Sequence, residues 1–93
     1  MMTAAAVEMT VRGMVQGIGF RYWCYHRAQA LGVTGWVRNN PDGSVSMAVE
    51  GDRSLLDEFI QEIKVGPRYA SVTDVDIKWT EFRGQYRTFE IRM

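Results

Sequence analysis

Val7 to Asn39 reads VEMTVRGMVQGIGFRYWCYHRAQALGVTGWVRN, and its periodicity changes twice. Val7, Met9 and Val11 alternate with Glu8, Thr10 and Arg12, the period of two that marks a strand with one wet face. From Phe20 to Leu31 the apolar positions Phe20, Cys24, Ala28 and Leu31 recur at helical spacing, and Gly32 supplies a stop. Alternation then returns, with Thr34, Trp36 and Arg38 opposing Val33, Gly35 and Val37 in a strand that ends at Asn39. A strand, a crossover helix and a second strand of one sheet run the two strands in the same direction. Their C-terminal ends therefore share one edge of the sheet.

The pattern continues outward from this unit. Asn40, Pro41, Asp42 and Gly43 make a turn, each residue type with its own turn chemistry. Val45, Met47 and Val49 against Ser44, Ser46, Ala48 and Glu50 return the chain as a third strand. Leu55, Leu56, Phe59, Ile60 and Ile63 fill one face of a second helix, with Asp57, Glu58, Gln61, Glu62 and Lys64 opposite. Asp52 or Ser54 is placed to cap its start, and Gly66 with Pro67 to end it. Burying such side chains contributes roughly 1.5–3 kcal/mol each before ordering entropy is set against it. After a loop around Arg68 to Ser71, the positions Thr73, Val75, Ile77 and Trp79 alternate in a fourth strand, and Phe89, Ile91 and Met93 in a short fifth. The expected fold is α+β: a ferredoxin-like βαββαβ two-layer sandwich, an antiparallel sheet with two helices on one face and a short C-terminal fifth strand.

Composition narrows the function classes. A chain of 93 residues is expected to form one domain over 1–93, with Met1 to Ala5 disordered, so any site must sit on this one fold. Eleven basic against eleven acidic residues give no field for drawing in a polyanion, which argues against a nucleic-acid partner. Cys24 is the only cysteine, so neither an internal disulfide nor a thiolate metal cluster can form within one chain. It reads as a small core group rather than a nucleophile. Met1 to Ala6 lacks the basic lead and apolar stretch of a secretion signal, and no later run has membrane length. The expectation is a cytoplasmic monomer with no membrane contact.

The segment joining the first strand to the helix carries the chemistry. Gly13 to Arg21 reads GMVQGIGFR, three glycines closing on an arginine as a helix begins. Glycine lets a ligand approach the main chain closely, and successive N–H groups in such a turn converge on an anion. The helix start adds its unpaired N–H groups and the positive end of its dipole. Arg21 supplies a planar fork of donors matched to phosphate oxygens. Asn39, 18 residues later in sequence, arrives at the same edge and can orient a water through its amide oxygen, though it is no strong base. The loop is not a Walker A, which needs Lys and Ser or Thr after its last glycine, nor a dinucleotide GxGxxG, since Tyr22 stands where the third glycine would be.

The missing residue types matter as much. No paired-carboxylate or histidine-cluster metal motif accompanies the loop, and no general acid stands near it. An alkyl phosphate ester requires its leaving oxygen to be protonated or metal-stabilised, whereas an acyl phosphate expels a carboxylate that is stable unaided. These residues suit the easier leaving group, with no cofactor and no metal.

GMVQGIGFR, and GWVRNNPDGSV from Gly35 to Val45, together with the βαββαβ order over essentially the whole chain, resemble the acylphosphatase family. The resemblance implies hydrolysis of the carboxyl–phosphate bond of small acyl phosphates to a carboxylate and inorganic phosphate, by metal-free attack of a positioned water on phosphorus. It implies that Arg21 is the phosphate-binding arginine, that Asn39 positions the water, and that the backbone of Val15, Gln16, Gly17, Ile18 and Gly19 is the phosphate loop. Met14 stands where the family often has a basic side chain, and Ile18 where valine is usual. A loop that binds through its main chain tolerates both, while Met14 could alter substrate preference at the rim.

Other readings of the same order weigh less. An RNA-recognition module would place aromatics on the open face of strands one and three, which here read VEMTVR and SVSMAVE. A metal-carrying ferredoxin-like domain would want a Cys-x-x-Cys loop, and Cys24 stands alone. The alternative is a non-catalytic small-anion-binding or carbamoyl-phosphate-handling ferredoxin-like domain. His26 reads as a surface residue, Arg38 as a solvated charge, and Trp36, Trp79 and Phe82 as packing or rim residues.

Overall fold

The structure, a computed structural model, describes residues 3–93. The elements are β1 (Ala4–Met14), α1 (Phe20–Leu31), β2 (Thr34–Asn39), β3 (Val45–Asp52), α2 (Arg53–Val65), β4 (Ser71–Thr80) and β5 (Phe89–Arg92). They build one five-stranded sheet in the order β4-β1-β3-β2-β5. β1 pairs antiparallel with β3 and β4, and β2 antiparallel with β3, which is the expected ferredoxin-like arrangement.

The fifth strand departs from a purely antiparallel sheet. β5 runs parallel to β2, with Gly35 opposite Phe89 and Val37 opposite Ile91. Alternation marks a strand but not its direction. Direction is set by the 81–88 connection, which brings the chain back to the start of β2, where the Gly35 amide donates to the Thr88 carbonyl at 3.0 Å. Phe89 is then buried and meets Phe59 of α2 edge to face at 6.2 Å between ring centroids.

The expected disorder over Met1 to Ala5 fails at its C-terminal part. Ala4 and Ala5 pair with Asp52 and Gly51, because β3 runs two residues beyond Glu50 and offers free backbone partners. Thr3 is tied as well: its amide donates to Asp52 Oδ1 at 3.2 Å, and its carbonyl accepts from the Arg53 amide at 2.8 Å. Met1 and Met2 lie outside the described residues. Asp52 occupies the N-cap position of α2, yet no side-chain cap bond forms; its carboxylate serves Thr3 and the Ser54 hydroxyl instead. In β4 a register shift opposite Arg12 and Gly13 leaves Thr73 out of the ladder, so Val72 takes its place opposite Gly13. Ile77 and Trp79 share the helix face with Met9 and Val7 but sit on the sheet's edge, 36% and 37% exposed. Arg53 covers the Trp79 ring at 3.7 Å.

Two layers enclose the core. Val7, Met9 and Val11 of β1 and Val45, Met47 and Val49 of β3 point at Phe20, Cys24 and Ala28 of α1 and at Leu56, Phe59 and Ile63 of α2. Arg27 and Glu62 pair across the two helices. On the opposite face of β3, Glu50 is only 2% exposed. Its Oε2 accepts from the amides of Arg83 and Gly84, and its Oε1 from those of Gln85 and Tyr86, at 3.0 to 3.4 Å. A buried carboxylate is tolerated here because four N–H groups replace its water, and they lock the connection that delivers β5. Replacing Glu50 by Ala should cost about 1–3 kcal/mol in a urea unfolding titration. The same variant should raise amide hydrogen exchange over residues 83–86; a neutral effect on both would show the clasp to be incidental.

Candidate active site

The loop between β1 and α1 is held at both ends by the core. Val15 and Phe20 are each 1% exposed, so the four residues between them must make the turn from strand to helix at the surface. Gly17 has φ 74° and Gly19 φ 82°, left-handed values that side chains with a Cβ rarely adopt. Space is open around both: a Cβ at Gly17 would meet nothing within 4 Å, and one at Gly19 only the Tyr69 hydroxyl. Conformation rather than crowding requires glycine here, and left-handed turns at alternate positions give the backbone of an anion nest.

Gly19 is also the N-cap of α1, and no side chain caps it. The first helical bond runs from the Trp23 amide to the Gly19 carbonyl at 3.0 Å. The amides before Trp23 therefore lack an intrahelical partner, and they carry the positive end of the helix dipole. Arg21 sits in this first turn. Its Nη1 donates to the main-chain carbonyl of Arg92, the last residue of β5, at 2.7 Å. That bond fixes the guanidinium with a neutral acceptor, so its full charge remains for a ligand.

Asn39 closes β2 with its side chain on the same face as Gly35 and Val37, toward α1. Its Oδ1 is buried and has no hydrogen-bond partner among the described residues. Buried acceptors are nearly always paired, so this one marks a place where a ligand or solvent donor belongs. Val15, Gly17, Gly19, Arg21 and Asn39 line one cavity of about 170 Å³, together with Phe20, Tyr22 and Ile91. A single water needs roughly 10–15 Å³ measured in this way, so a tetrahedral oxyanion and an attacking water fit together. Arg21 is the one charged residue among those lining it.

The side chains of Gln16 and Ile18, named with the loop from sequence, do not line the cavity. Ile18 packs, half-buried, against the core. Gln16 reaches away from the cavity to the β2–β3 turn, donating from Nε2 to the carbonyls of Asn40 at 2.7 Å and Ser44 at 2.8 Å. Sequence reasoning missed this side chain, the Arg92 carbonyl, Tyr22 and Ile91. Both β5 contributions depend on a parallel pairing that no local pattern encodes. Arg38 lies over the open-face ring of Trp36 at 5.1 Å, outside the cavity, and Arg92 approaches the same ring at 4.8 Å. His26 is exposed beside Tyr22 and Tyr25. Among the described residues no three His, Cys, Asp or Glu side chains cluster as metal ligands, and no helix is long and apolar enough to cross a membrane.

Comparison with known proteins bears on both family and fold. The family model described as Acylphosphatase matches residues 7–91. A curated acylphosphatase from Caldanaerobacter subterraneus subsp. tengcongensis is 45% identical over 85 residues, covering 91% of this chain and 94% of that one. The crystal structure of acylphosphatase from Bacillus subtilis superposes with a TM-score of 0.91 at 31% identity, covering 96% and 99% of the two chains. Full-length HypF, solved in a phosphate- and nucleotide-bound form, matches all of this chain with a TM-score of 0.90 at 29% identity, over 12% of its own length.

Cys24, one turn along α1 from Phe20 and not among the residues lining the cavity, can be set aside as a nucleophile. Cys24 is fully buried, and burial pushes its thiol far above the ordinary range because a thiolate there would lose its water. Thiol reagents should leave the folded protein unmodified and label it only in denaturant. Cys24→Ala should retain turnover within about twofold; inactivation by native-state labelling of Cys24 would contradict this assignment.

Proposed function

Because the chain belongs to the acylphosphatase family, we propose that the cavity where β1, α1, β2 and β5 meet is its active site and that Arg21 and Asn39 are its catalytic residues. The protein is an acyl phosphate hydrolase. The observation that carries the site assignment is the buried, unpartnered Asn39 Oδ1 in the same cavity as Arg21 and the uncapped start of α1.

The reaction follows from these positions. The phosphoryl group of the substrate enters the loop, where the amides of Val15 to Gly19 and the first turn of α1 surround its oxygens. Arg21 neutralises the equatorial charge through paired donors. A water donates one hydrogen bond to Asn39 Oδ1 and turns a lone pair to phosphorus. The water–phosphorus bond forms as the bond to the acyl oxygen breaks, the carboxylate departs with that electron pair, and the water's proton passes to a phosphate oxygen. Phosphoryl transfer has a loose transition state with little bond formation to the nucleophile, so an amide that aims water suffices without a strong base. The leaving carboxylate has an ordinary pKa of about 4 and needs no proton to depart. The chemistry requires no metal and no cofactor, and we assign the protein as a cytoplasmic monomer that acts on small molecules without nucleic-acid or membrane partners.

Arg21→Ala should abolish competition by inorganic phosphate, and Arg21→Lys should stay badly impaired, since an ammonium cannot reproduce the fork. Near-normal activity in the lysine variant would refute paired binding. Asn39→Ala should lower kcat about 10²-fold or more while KM changes little, as for other groups that act in the transition state. A raised KM at constant kcat would remove the water-positioning role. The decisive assay compares acetyl phosphate with glycerol 3-phosphate, an alkyl ester whose alkoxide cannot leave unaided, in the presence of chelator: hydrolysis of the first alone is expected. Turnover of both, or dependence on one restored metal, would overturn the mechanism.

A further inference from the structure

The side chain of Gln16 ties the β1–α1 loop to the β2–β3 turn, reaching residues 24 and 28 positions further along the sequence. Its Nε2 group donates both hydrogens, one to the Asn40 carbonyl at 2.7 Å and one to the Ser44 carbonyl at 2.8 Å. Those two carbonyls are the frame of the β2–β3 turn. The Asn40 amide donates to the Ser44 carbonyl at 2.8 Å, and the Gly43 amide to the Asn40 carbonyl at 3.2 Å. Inside this frame Asn40 Nδ2 donates to the hydroxyls of Ser44 and Ser46, and the Asp42 carboxylate accepts from the Ser44 amide and hydroxyl. The turn is internally rigid, so what holds one point of it holds the residue that enters it. That residue is Asn39.

From this geometry we infer that Gln16 is a positioning residue, which sets the distance between the phosphate loop and the amide of Asn39. The inference rests on the proposal that Asn39 orients the attacking water. Gln16 contributes its main chain to the loop on one side and grips the turn on the other, so one residue bridges phosphate and water. The loop itself does not need the strap, since Val15 and Phe20 anchor it in the core. Neither does the turn, which closes through its own bonds and through the Arg12–Asp42 pair at 3.5 Å on the opposite face. What the strap adds is their relative placement. An error of about 1 Å between a nucleophile and its target can cost about 10²-fold in rate. The amide's two hydrogens and two carbonyl acceptors match in number and reach. Methionine has the same length without donors, and asparagine has the donors without the length.

A double-mutant cycle separates this role from a structural one. Gln16→Met and Gln16→Asn should each lower kcat for acetyl phosphate about 10-fold or more, while inhibition by inorganic phosphate changes less than about threefold. In the Asn39→Ala background, Gln16→Met should lower kcat by less than about twofold, because the residue it places is gone. Multiplicative losses in the double variant, or parallel loss of phosphate affinity and kcat in both Gln16 variants, would overturn the inference. Loss of the folded state in Gln16→Met would be read through Gln16→Asn, and unfolding of both would make Gln16 a structural residue. Should Asn39→Ala itself keep full kcat, the water-positioning proposal fails and this inference falls with it, whereas a low kcat in Asn39→Ala with unchanged kcat in both Gln16 variants would overturn this inference alone.

Discussion

Two buried side chains with four residues between them set the shape on which the site depends. Val15 ends the strand side and Phe20 begins the helix side, and neither can leave the core without losing roughly 1.5–3 kcal/mol of burial. A domain of this kind holds only about 5–15 kcal/mol in total, so each anchor is a large fraction of it. The chain between them is too short to wander, and Gly17 and Gly19 take the left-handed conformations that let it turn within that span. The loop proposed to bind the anion is thus shaped by the hydrophobic core before any ligand arrives. Such preorganisation is what gives hydrogen-bond donors their value in a transition state, because no reorganisation is left to oppose them.

Charge is handled locally. The chain is neutral overall, so nothing draws a phosphate from a distance, and the field is concentrated in one guanidinium and one helix start. The partner that fixes Arg21 is a main-chain carbonyl of β5, not a carboxylate. A carboxylate would orient the guanidinium equally well but would compete with the phosphoryl oxygens for it. The carbonyl orients without neutralising. This gives β5 a role beyond covering the sheet edge, and the four-amide clasp on Glu50 secures the connection that leads to it.

Most of the architecture was legible because each element carries its own period. β1, α1, β2, β3 and α2 follow from alternation, helical spacing and glycine stops, and the crossover rule alone brings Arg21 and Asn39 to one edge. The first turn of α1 was visible as a glycine loop closing on an arginine. What escaped had no local signature. The direction of β5 is decided by a connection without regular structure, and with it go Ile91 and the Arg92 carbonyl. Ala4 and Ala5 are short, weakly apolar residues whose order comes from the unpaired end of β3, not from themselves. Asp52 was visible as a cap, but the Thr3 amide and the Ser54 hydroxyl hold its carboxylate. Gln16 was read for its main chain, since a lone glutamine in a loop carries no pattern that announces two carbonyls so far away in sequence.

If the proposed site is the active site, the placement of its polar groups makes leaving-group chemistry, and not recognition of the acyl part, decide what it cleaves. On the proposed reading the polar groups serve the phosphoryl group and the water: the loop amides, the start of α1 and Arg21 donate, and Asn39 Oδ1 accepts. Tyr22 and Ile91 complete the cavity wall beside them. Neither a carboxylic acid nor a histidine lines the cavity to protonate a departing oxygen. Stabilising the equatorial oxygens lowers the barrier for an ester and an acyl phosphate alike, so it cannot discriminate between them. The difference lies in the bond that breaks, since a carboxylate leaves as a weak base and an alkoxide does not. On the proposed reading, a site with one guanidinium and the free amides of a helix start needs no acyl pocket to be selective, because it acts only on substrates whose leaving group requires no proton.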